Sequence, residues 1–459
     1  MNKTIGQKFR EDERVIKAKQ LIQEALVEHQ ESLTLIQPAV VELKVSYEDM
    51  LNELGELRGR ALYYPYLSSG IGNGALVELA DGSVKYDFIS GIGVHYMGHS
   101  HPQMVRAGVN AALEDTVMQG HLQQGEKTIE LMEHLVTMAC TKGGNLKHCF
   151  LTSSGAMANE NAFKIIFQNK EPAKRLLAFE GCFTGRSLAT VQMTYNQGTK
   201  QGLPKVLDVD YIPFFDANDP KESTQKSVDQ LRKLLKEHPR EYAVMCFELI
   251  QGEGGYYPGS RDFFMALMDI LKEQNIAIMV DEIQTFGRTE ELFAFQYFGL
   301  DNYVDVVTIG KMSQVCATLF TPQYNPKSGL LSQTFTASSS AIHAACTILD
   351  EVENNGYLGK DGKVMRYGEY FRSCLKKLSE KYPNKIKGPF GLGAMVGFTV
   401  FDGSVEKTKG FLTALYEAGV IGFMAGKEPA RVRFLMPIGA VTEKDIESVC
   451  ELIEKVLTI

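Results

Sequence analysis

Two residues whose side chains could act together on a substrate stand at the ends of apolar stretches. Asp281 lies in IAIMVDEI, residues 276–283, and Lys311 follows VDVVTIG, residues 304–310. Short, unbroken apolar stretches of this kind are typical of buried strands. A buried lysine with a lowered pKa can form a Schiff base with a carbonyl, and a carboxylate can keep a pyridinium nitrogen protonated so that the ring accepts electrons. Taken singly, a lysine is usually exposed and an aspartate usually caps a helix, so the interpretation depends on the pair.

A third element precedes these two in the chain. In LTSSGAMANENAFK, residues 151–164, a turn of small residues opens a helical pattern. The free N–H groups and the dipole of a helix N-terminus form a phosphate site. Small residues at a helix start are usually just a cap, but three elements in chain order strengthen the interpretation. The residues that would line this phosphate site are Ser154, Gly155 and Ala156.

The elements that must position these residues alternate along the chain. Apolar runs such as LLAF (176–179) and AVMCFEL (243–249) are separated by amphipathic helical patterns, which predicts an α/β fold with a large, mostly parallel sheet. ALVEL and KYDFI around Asp81-Gly82 predict a β-hairpin. We predict four parts: a helical N-terminal extension (1–60), the N-terminal part of a small α+β domain (61–101), a large cofactor-binding domain (102–350) and the C-terminal part of the small domain (351–459).

The composition argues against several classes of protein. A net charge of −8 without a long basic run argues against nucleic-acid binding. No apolar stretch approaches the ~20 residues of a membrane span, and the N-terminus lacks the apolar core of a signal peptide. The eight cysteines are scattered singly, which favours a cytoplasmic protein with free thiols. His99 and His101 in GHSHP have no carboxylate at ligand spacing, so we predict no metal site.

The motifs resemble those of the class III, fold type I, pyridoxal-phosphate (PLP)-dependent aminotransferases, the group of lysine 6-, 4-aminobutyrate, ornithine and acetylornithine aminotransferases. The resemblance runs from about Gly74 to the C-terminus and leaves the N-terminal extension outside. The family texts are SGAEANE, FHGRT, EPIQGEGG and VDEIQTFGRT, and GKMSQVCA around Lys311 is most similar to the lysine 6-aminotransferase version. The matching segments here are SGAMANE (154–160), FTGRS (183–187), ELIQGEGG (248–255) and VDEIQTFGRT (280–289).

This resemblance implies a role for each matching residue around PLP. Lys311 would hold the cofactor as a Schiff base and move the substrate proton, and Asp281 would pair with the pyridine nitrogen. Gln284 would bind the ring hydroxyl, and Phe183 would stack on the ring. Thr334, in SQTFTASS, falls where the family's threonine reaches the phosphate of the neighbouring subunit, which implies a homodimer with shared active sites.

The resemblance also implies how a substrate is bound. Arg433, in RVRFLMP, would grip a carboxylate, and Glu253 would pair with this arginine when no α-carboxylate is bound. Arg186 would bind a second carboxylate. Ornithine aminotransferases carry a tyrosine at the position of Ile92, which argues against free ornithine as donor. The implied reaction is a ping-pong transfer of an amino group, from the terminal amine of a donor to 2-oxoglutarate.

Some positions differ from the family motifs. Other reactions of the same fold also stay open. Thr184 replaces His, Met157 replaces Glu, Leu249 replaces Pro, and 336–338 replaces Gly-Gly-Asn. The same fold hosts aminomutases, racemases and decarboxylases, although a switchable glutamate–arginine pair favours transamination. A nicotinamide oxidoreductase is rejected because neither GIGNGA nor GLGAMVG fits the dinucleotide fingerprint. A catalytically dead scaffold is disfavoured because Lys311, Asp281 and Gln284 are all retained. The amino donor stays open among lysine, 4-aminobutyrate, acetylornithine and other ω-amines.

Overall fold

The computed structural model describes residues 3–114 and 118–458 of the chain. The chain divides into two compact units, and each is described by itself. Unit 1 comprises Met1–Asp115, Tyr367–Pro389 and Val396–Ile459, and unit 2 comprises Thr116–Arg366 and Phe390–Met395. The four-part division predicted from the sequence stays a prediction.

Helices follow the amphipathic patterns of the sequence, and several begin at a Ser, Thr or Asp side chain that accepts a backbone N–H of the first turn. The helical segments are α1 Ile5–Arg10, α2 Glu13–Gln30, α3 Val41–Arg58, α4 Ser90–Gly93, α5 Pro102–Ala112, α6 Glu126–Ala139, α7 Gly155–Lys170, α8 Thr190–Met193, α9 Pro220–Glu237, α10 Arg261–Glu273, α11 Ala294–Tyr297, α12 Ser339–Asn354, α13 Lys363–Lys381, α14 Val405–Glu417 and α15 Glu443–Thr458.

The strands are short, and the central ones of unit 2 consist mainly of apolar residues. They are β1 Ser68–Asn73, β2 Leu76–Leu79, β3 Val84–Asp87, β4 Met118–Gln119, β5 His148–Thr152, β6 Arg175–Phe179, β7 Asp208–Ile212, β8 Tyr242–Phe247, β9 Ile250–Gln251, β10 Tyr257–Pro258, β11 Ala277–Glu282, β12 Val306–Ile309, β13 Cys316–Phe320, β14 Ala337–Ser338, β15 Ile386–Leu392, β16 Met395–Val400, β17 Val420–Ile421, β18 Phe423–Ala425 and β19 Arg431–Leu435.

The described part of unit 2 is built on a seven-stranded sheet in the order β5-β13-β12-β11-β8-β6-β7. The pairs from β12 through β11, β8 and β6 to β7 are parallel, and β13 is antiparallel to both β12 and β5. Every residue of β8, β11 and β12 is buried. Unbroken apolar sequences are required here because both faces of the sheet are covered. The predicted large, mostly parallel sheet is therefore confirmed, and β13 adds an antiparallel strand that the sequence reading did not assign.

Helix α7 lies on one face of this sheet and carries the first predicted motif. Ala162, Phe163, Ile165 and Ile166 of α7 are at most 2% exposed and belong to the core cluster that includes β6, β8, β11 and β12 residues. At about 25 cal/mol per Å² of apolar surface, burial of such side chains is the main stabilising term. The helix is thereby fixed over the strands that carry Asp281 and Lys311.

Unit 1 contains the predicted hairpin and two small sheets. Strands β2 and β3 pair antiparallel in the order β1-β2-β3-β17, which confirms the hairpin, and β15-β16-β19-β18 form the second sheet. The predicted helical extension is present as α1, α2 and α3. Gln30 at the end of α2 is buried and donates to the carbonyl oxygens of Gly72 and Ser100, at 2.7 and 3.0 Å. Within unit 1, hydrogen bonds from a buried side chain thus join the extension to the segments that contain Gly72 and Ser100.

Residues 3–114 and 118–458 contain neither a membrane-spanning helix nor a cluster of metal ligands. None of these helices combines the length and apolar character that a membrane crossing needs. In the same residues, no group of three or more His, Cys, Asp or Glu side chains is arranged to hold a metal ion.

Candidate active site

Asp281 stands near the end of the central strand β11 and is 4% exposed. Its Oδ1 accepts the backbone N–H of Ile283 at 3.0 Å, and its Oδ2 accepts Nδ2 of Asn159 at 2.8 Å. Burial raises the pKa of this carboxyl to about 6, against the lowering effect of both hydrogen bonds and of the Lys311 cation. The carboxylate is thus buried, partly satisfied, and close enough to Lys311 to interact electrostatically with it.

Lys311 begins a single 3₁₀ turn directly after β12. Its φ of 53° is in the left-handed region, an uncommon conformation for a residue with a side chain. A Cβ on the preceding Gly310 would lie 2.7 Å from Sγ of Cys316 and 3.2 Å from Cδ1 of Ile283. Gly310 therefore allows the backbone before Lys311 to approach the segment that follows Asp281. Asp281 and Lys311 are thus brought together at the ends of adjacent strands.

The N-terminus of α7 lies against the same segment. Ser154 is the N-cap, and its Oγ accepts the N–H of Met157 at 3.2 Å. The N–H groups of Gly155 and Ala156 have no acceptor within the helix, because the first turn of a helix lacks them. A Cβ on Gly155 would lie 2.9 Å from Cγ2 of Ile283, so glycine allows the close approach of α7 to this loop. The predicted phosphate-binding turn is therefore beside the Asp281 strand end.

The FTGR motif meets both α7 and the loop after β8. A Cβ on Gly185 would lie 2.9 Å from Cβ of Ala156. The backbone N–H of Phe183 donates to Oε1 of Glu248 at 3.1 Å. Arg186 is exposed, and its guanidinium carbon lies 5.7 Å from the centroid of the Phe183 ring, a cation–π arrangement. Phe183 and Arg186 are therefore neighbours, with the guanidinium over one face of the ring.

Glu248 is a buried acid to which the sequence reading gave no role. Its Oε2 accepts the N–H of Gly252 at 2.9 Å, so its carboxyl connects the FTGR loop with the IQGEGG loop. Burial, together with the charge of Asp281, raises the pKa of Glu248 to about 8. A Cβ on Gly252 would lie 2.5 Å from Oε1 of Gln284, which places Gln284 against this loop. The sequence contained a signal for Glu248, because this acid is the first residue of the ELIQGEGG motif.

Thr334 is exposed. Residues on either side of it in the chain hold its loop in place within unit 2. The Thr334 carbonyl lies against Gly120, at a position where a Cβ would not fit. The side chain of Gln333 accepts the hydroxyl of Thr152 at 2.8 Å and donates to Oδ1 of Asn161 at 3.4 Å. Strand β14, which follows, pairs antiparallel with β4. The loop conformation is thus defined, and the Thr334 side chain is accessible at the surface of this chain.

Ile92 and Arg433 both belong to unit 1. A hydrogen bond joins the turn that contains Ile92 to the strand that contains Arg433. Ile92 adopts φ 60° and ψ 47°, a left-handed conformation that is rare for a β-branched residue. In the same turn, Oγ of Ser90 donates to the carbonyl oxygen of Leu435 at 2.7 Å, and Leu435 ends the strand β19 that carries Arg433. Arg433 is fully buried, and its guanidinium carbon lies 5.5 Å from the ring centroid of Phe423.

The donor set of unit 2 fits PLP. A buried carboxyl with a raised pKa suits a protonated ring nitrogen, and a helix N-terminus suits a phosphate. A lysine on the adjacent strand end suits the aldehyde. Asp281, Lys311, Gln284, Phe183 and the Ser154 turn occur in one region of unit 2. The individual roles predicted for these side chains stay predictions.

The fold is that of the fold type I PLP-dependent transferases, as comparison with solved structures shows. A lysine aminotransferase from M. tuberculosis superposes with a TM-score of 0.79 over 89% of this chain and 99% of that chain, at 22% identity. An ornithine aminotransferase from Toxoplasma gondii superposes with a TM-score of 0.77 over 90% of this chain and 95% of that chain, also at 22% identity. At these identities the likeness concerns the fold alone.

Sequence relatives define the family within this fold. The family model described as aminotransferase class-III matches residues 66–457. An acetylornithine aminotransferase from Methanocaldococcus jannaschii is 30% identical over 407 residues, 84% of this chain and 92% of the relative. An acetylornithine aminotransferase from Lactococcus lactis is 31% identical over 385 residues, 82% of this chain and 93% of the relative. The chain belongs to the class III aminotransferases, which depend on PLP, and the predicted family, fold class, enzyme class and cofactor are confirmed.

Proposed function

We propose that this enzyme transfers the terminal amine of an amino acid or ω-amine to 2-oxoglutarate, with Lys311 and Asp281 as its catalytic residues. The observation that carries this proposal is the buried carboxyl of Asp281 beside Lys311 on adjacent strand ends, in a class III aminotransferase. The relatives named acetylornithine aminotransferase support a donor that reacts through an amine distant from its α-carboxylate.

The proposal gives a task to each of the following cofactor-site residues of unit 2. When bound, PLP supplies an electron sink. Its ring would accept the electron pair that remains on the substrate carbon when a C–H bond is broken. Asp281 holds the proton at the ring nitrogen, which maintains that sink. Lys311 would accept the proton from the substrate carbon and deliver it to the C4′ atom of the cofactor. Gln284 donates to the ring hydroxyl, and the N–H groups of Gly155 and Ala156, with Ser154 at the turn, hold the phosphate.

The binding of two different substrates is assigned to three charged residues. Arg433 binds the α-carboxylate of glutamate and 2-oxoglutarate, Arg186 binds their distal carboxylate, and Glu253 neutralises Arg433 during the ω-amine half-reaction. Glu253→Gln is expected to slow the ω-amine half-reaction more than the glutamate half-reaction, and Arg433→Ala to do the reverse. Single-turnover measurements separate the two. Equal losses in both half-reactions for both variants would favour a plain α-amino acid specificity.

The assembly proposed is a homodimer with shared active sites in the cytoplasm. Free cysteines throughout the described residues agree with a reducing compartment. The exposed position of the Thr334 side chain agrees with a contact to the phosphate site of a second subunit. Thr334→Ala is therefore expected to weaken PLP binding, and dilution to monomer to release PLP. A monomer that stays fully active at low concentration would contradict the shared site.

A donor screen tests the proposed reaction. Holoenzyme is incubated with 2-oxoglutarate and, separately, with lysine, 4-aminobutyrate, N-acetylornithine and simple ω-amines, and glutamate is measured. The proposal expects glutamate formation with at least one terminal-amine donor at a rate well above that with α-amino acids that lack a terminal amine. Isomerisation or decarboxylation of a donor without 2-oxoglutarate would instead indicate an aminomutase or decarboxylase of the same fold.

A further inference from the structure

The side-chain amide of Asn159 connects Asp281 with the neighbouring strand β12. Its Nδ2 donates to Oδ2 of Asp281 at 2.8 Å and to the carbonyl oxygen of Thr184 at 2.7 Å. Its Oδ1 accepts the hydroxyl of Thr308 at 2.8 Å. Asn159 is 1% exposed and Thr308 is fully buried, so bulk water has little access to these groups. Both amide hydrogens and the amide oxygen therefore have partners within the protein.

The chemistry of these partners permits one orientation of the amide. A carboxylate and a backbone carbonyl can only accept hydrogen bonds, so Nδ2 must face Asp281 and Thr184. A flipped amide would place Oδ1 against both acceptors. The hydroxyl of Thr308 must then donate to Oδ1. Thr308 thereby fixes the end of the Asn159 side chain that is opposite to Asp281.

The strand register explains why Thr308 can reach this amide. Thr308 is the partner of Asp281 on the parallel strand β12, and Thr318 is the partner of Thr308 on β13. Paired residues of adjacent strands share a face, so the three side chains form a row under α7. The hydroxyl of Thr318 donates to the carbonyl oxygen of Ala158 at 2.8 Å. Thr318 is thus a buried threonine of the same row that does not bond to the Asn159 side chain in this structure.

The amide also acts on the charge of Asp281. Burial raises the pKa of Asp281 to about 6, and the N–H of Ile283, the amide of Asn159 and the Lys311 cation all lower it. Loss of the Asn159 donor would move this pKa towards neutrality and favour the protonated acid, which cannot pair with a cationic ring nitrogen. The other titratable groups that interact with the Asp281 charge are Glu248, Glu282, Cys182, Cys246 and Cys316.

We propose that Asn159 and Thr308 are positioning residues, which hold the Asp281 carboxylate ionised and correctly oriented for the pyridine nitrogen of PLP. The sequence motifs predicted no role for either residue, although Asn159 is part of SGAMANE. The inference rests on the proposed function, in which Asp281 pairs with that nitrogen. It adds that the pairing depends on an amide on α7 and a hydroxyl on β12.

The first test measures the affinity of reconstituted apoenzyme for PLP between pH 5.5 and 9. Asn159→Leu keeps the branched shape of the side chain and removes the donor. At pH 7.5 it is expected to weaken PLP binding about 10- to 100-fold, the scale of a hydrogen bond to a charged group. The pH below which the wild type loses PLP, expected near 6, should move upward in this variant because the pKa of Asp281 rises. The carbocyclic analogue of PLP, which lacks the ring nitrogen, should bind wild type and variant equally.

The second test uses matched threonine variants. Thr308→Val removes the hydroxyl and should weaken PLP binding about 3- to 10-fold, since Asn159 keeps its other contacts. Thr308→Ser keeps the hydroxyl and should restore wild-type affinity. Thr318→Val, in the same row, should leave PLP affinity and its pH dependence unchanged. Thermal unfolding of each variant checks that the folded state is retained.

The outcomes separate this inference from the proposed function. If wild-type protein does not bind PLP more tightly than the carbocyclic analogue, the pairing of Asp281 with the ring nitrogen is wrong. If wild type shows that difference but Asn159→Leu binds PLP as wild type does, the positioning role of Asn159 is overturned. Equal losses in Thr308→Val and Thr318→Val would overturn the role of Thr308 and point to general packing. Equal loss of PLP and its analogue in Asn159→Leu would likewise contradict the inference.

Discussion

Asp281 and Glu282 are consecutive residues of β11 whose side chains point to opposite faces of the sheet. Both are buried, and burial raises the pKa of Asp281 to about 6 and that of Glu282 to about 8. They differ in their partners. Asp281 interacts with the Lys311 cation and a side-chain amide, whereas Glu282 accepts the backbone N–H groups of Ala294 and Phe295 at 2.7 and 2.8 Å.

The two environments explain two different tasks for the same chemical group. Glu282 satisfies the first N–H groups of α11, a short helix whose N-cap residue Phe293 makes no side-chain cap. Its carboxyl therefore stabilises local structure. Asp281 has a cation within electrostatic range and retains the capacity to accept another donor, which suits a catalytic site. Burial of an acid alone does not identify a functional residue, and the partners of the acid do.

The largest expected effect is the loss of turnover on neutralising Asp281. Asp281→Asn should lower kcat by about 10²–10⁴-fold, because the ring nitrogen loses the group that keeps it protonated. The thermal unfolding midpoint should also fall, because an amide offers one oxygen in place of the two that accept the N–H of Ile283 and Nδ2 of Asn159. Steady-state kinetics on PLP-loaded protein and a thermal melt measure both quantities. Near-normal turnover would refute the ring contact.

The matched substitution on the other face should lower stability without a comparable loss of turnover. Glu282→Gln leaves one of the two N–H groups of α11 opposite an NH₂ group, and a lost buried hydrogen bond costs about 1–3 kcal/mol of unfolding free energy. Turnover of the folded protein should stay within a few-fold of wild type. Urea unfolding followed by circular dichroism measures the change. A variant as stable as wild type would show that Glu282 is not needed to begin α11.

A smaller effect is expected in the pH dependence of stability. The folded-state pKa of Glu282, about 8, is raised above its ordinary value of 4.5. The linked stability is therefore fully present below pH 4.5, declines as the pH rises, and is lost once the pH passes about 8. Wild type should lose unfolding free energy over this interval more steeply than Glu282→Gln, with Glu248 adding a similar decline in both proteins. Parallel curves would show that folding does not change the pKa of Glu282.

The motif residues of unit 2 were predictable because the chemistry requires particular side chains at strand and helix ends. The apolar runs before Lys311 and around Asp281 predicted two buried strands, and the structure pairs β11 with β12 in parallel. The turn from Ser154 predicted the start of α7 correctly. These features are local, so periodicity and helix-start signals suffice to find them.

Other features depend on tertiary contacts that no local pattern encodes. Asn159 and Thr308 are far apart in the chain, and only the register of β12 with β11 and the packing of α7 bring them together. The antiparallel strand β13 has the same apolar composition as its parallel neighbours, so the sequence could not indicate its direction. Glu248 stands within a recognised motif, yet its contact with the backbone of Phe183 depends on the folded loops.

The claim that Lys311 holds the cofactor is tested most directly by chemical reduction. Purified holoenzyme is treated with borohydride, digested, and the modified peptide is identified by mass spectrometry, with Lys311→Ala as the control. The account predicts that the reduced cofactor is attached to the peptide containing Lys311, and that the variant carries no covalent cofactor and has lost nearly all turnover. Attachment to a different lysine, or full activity of Lys311→Ala, would contradict it.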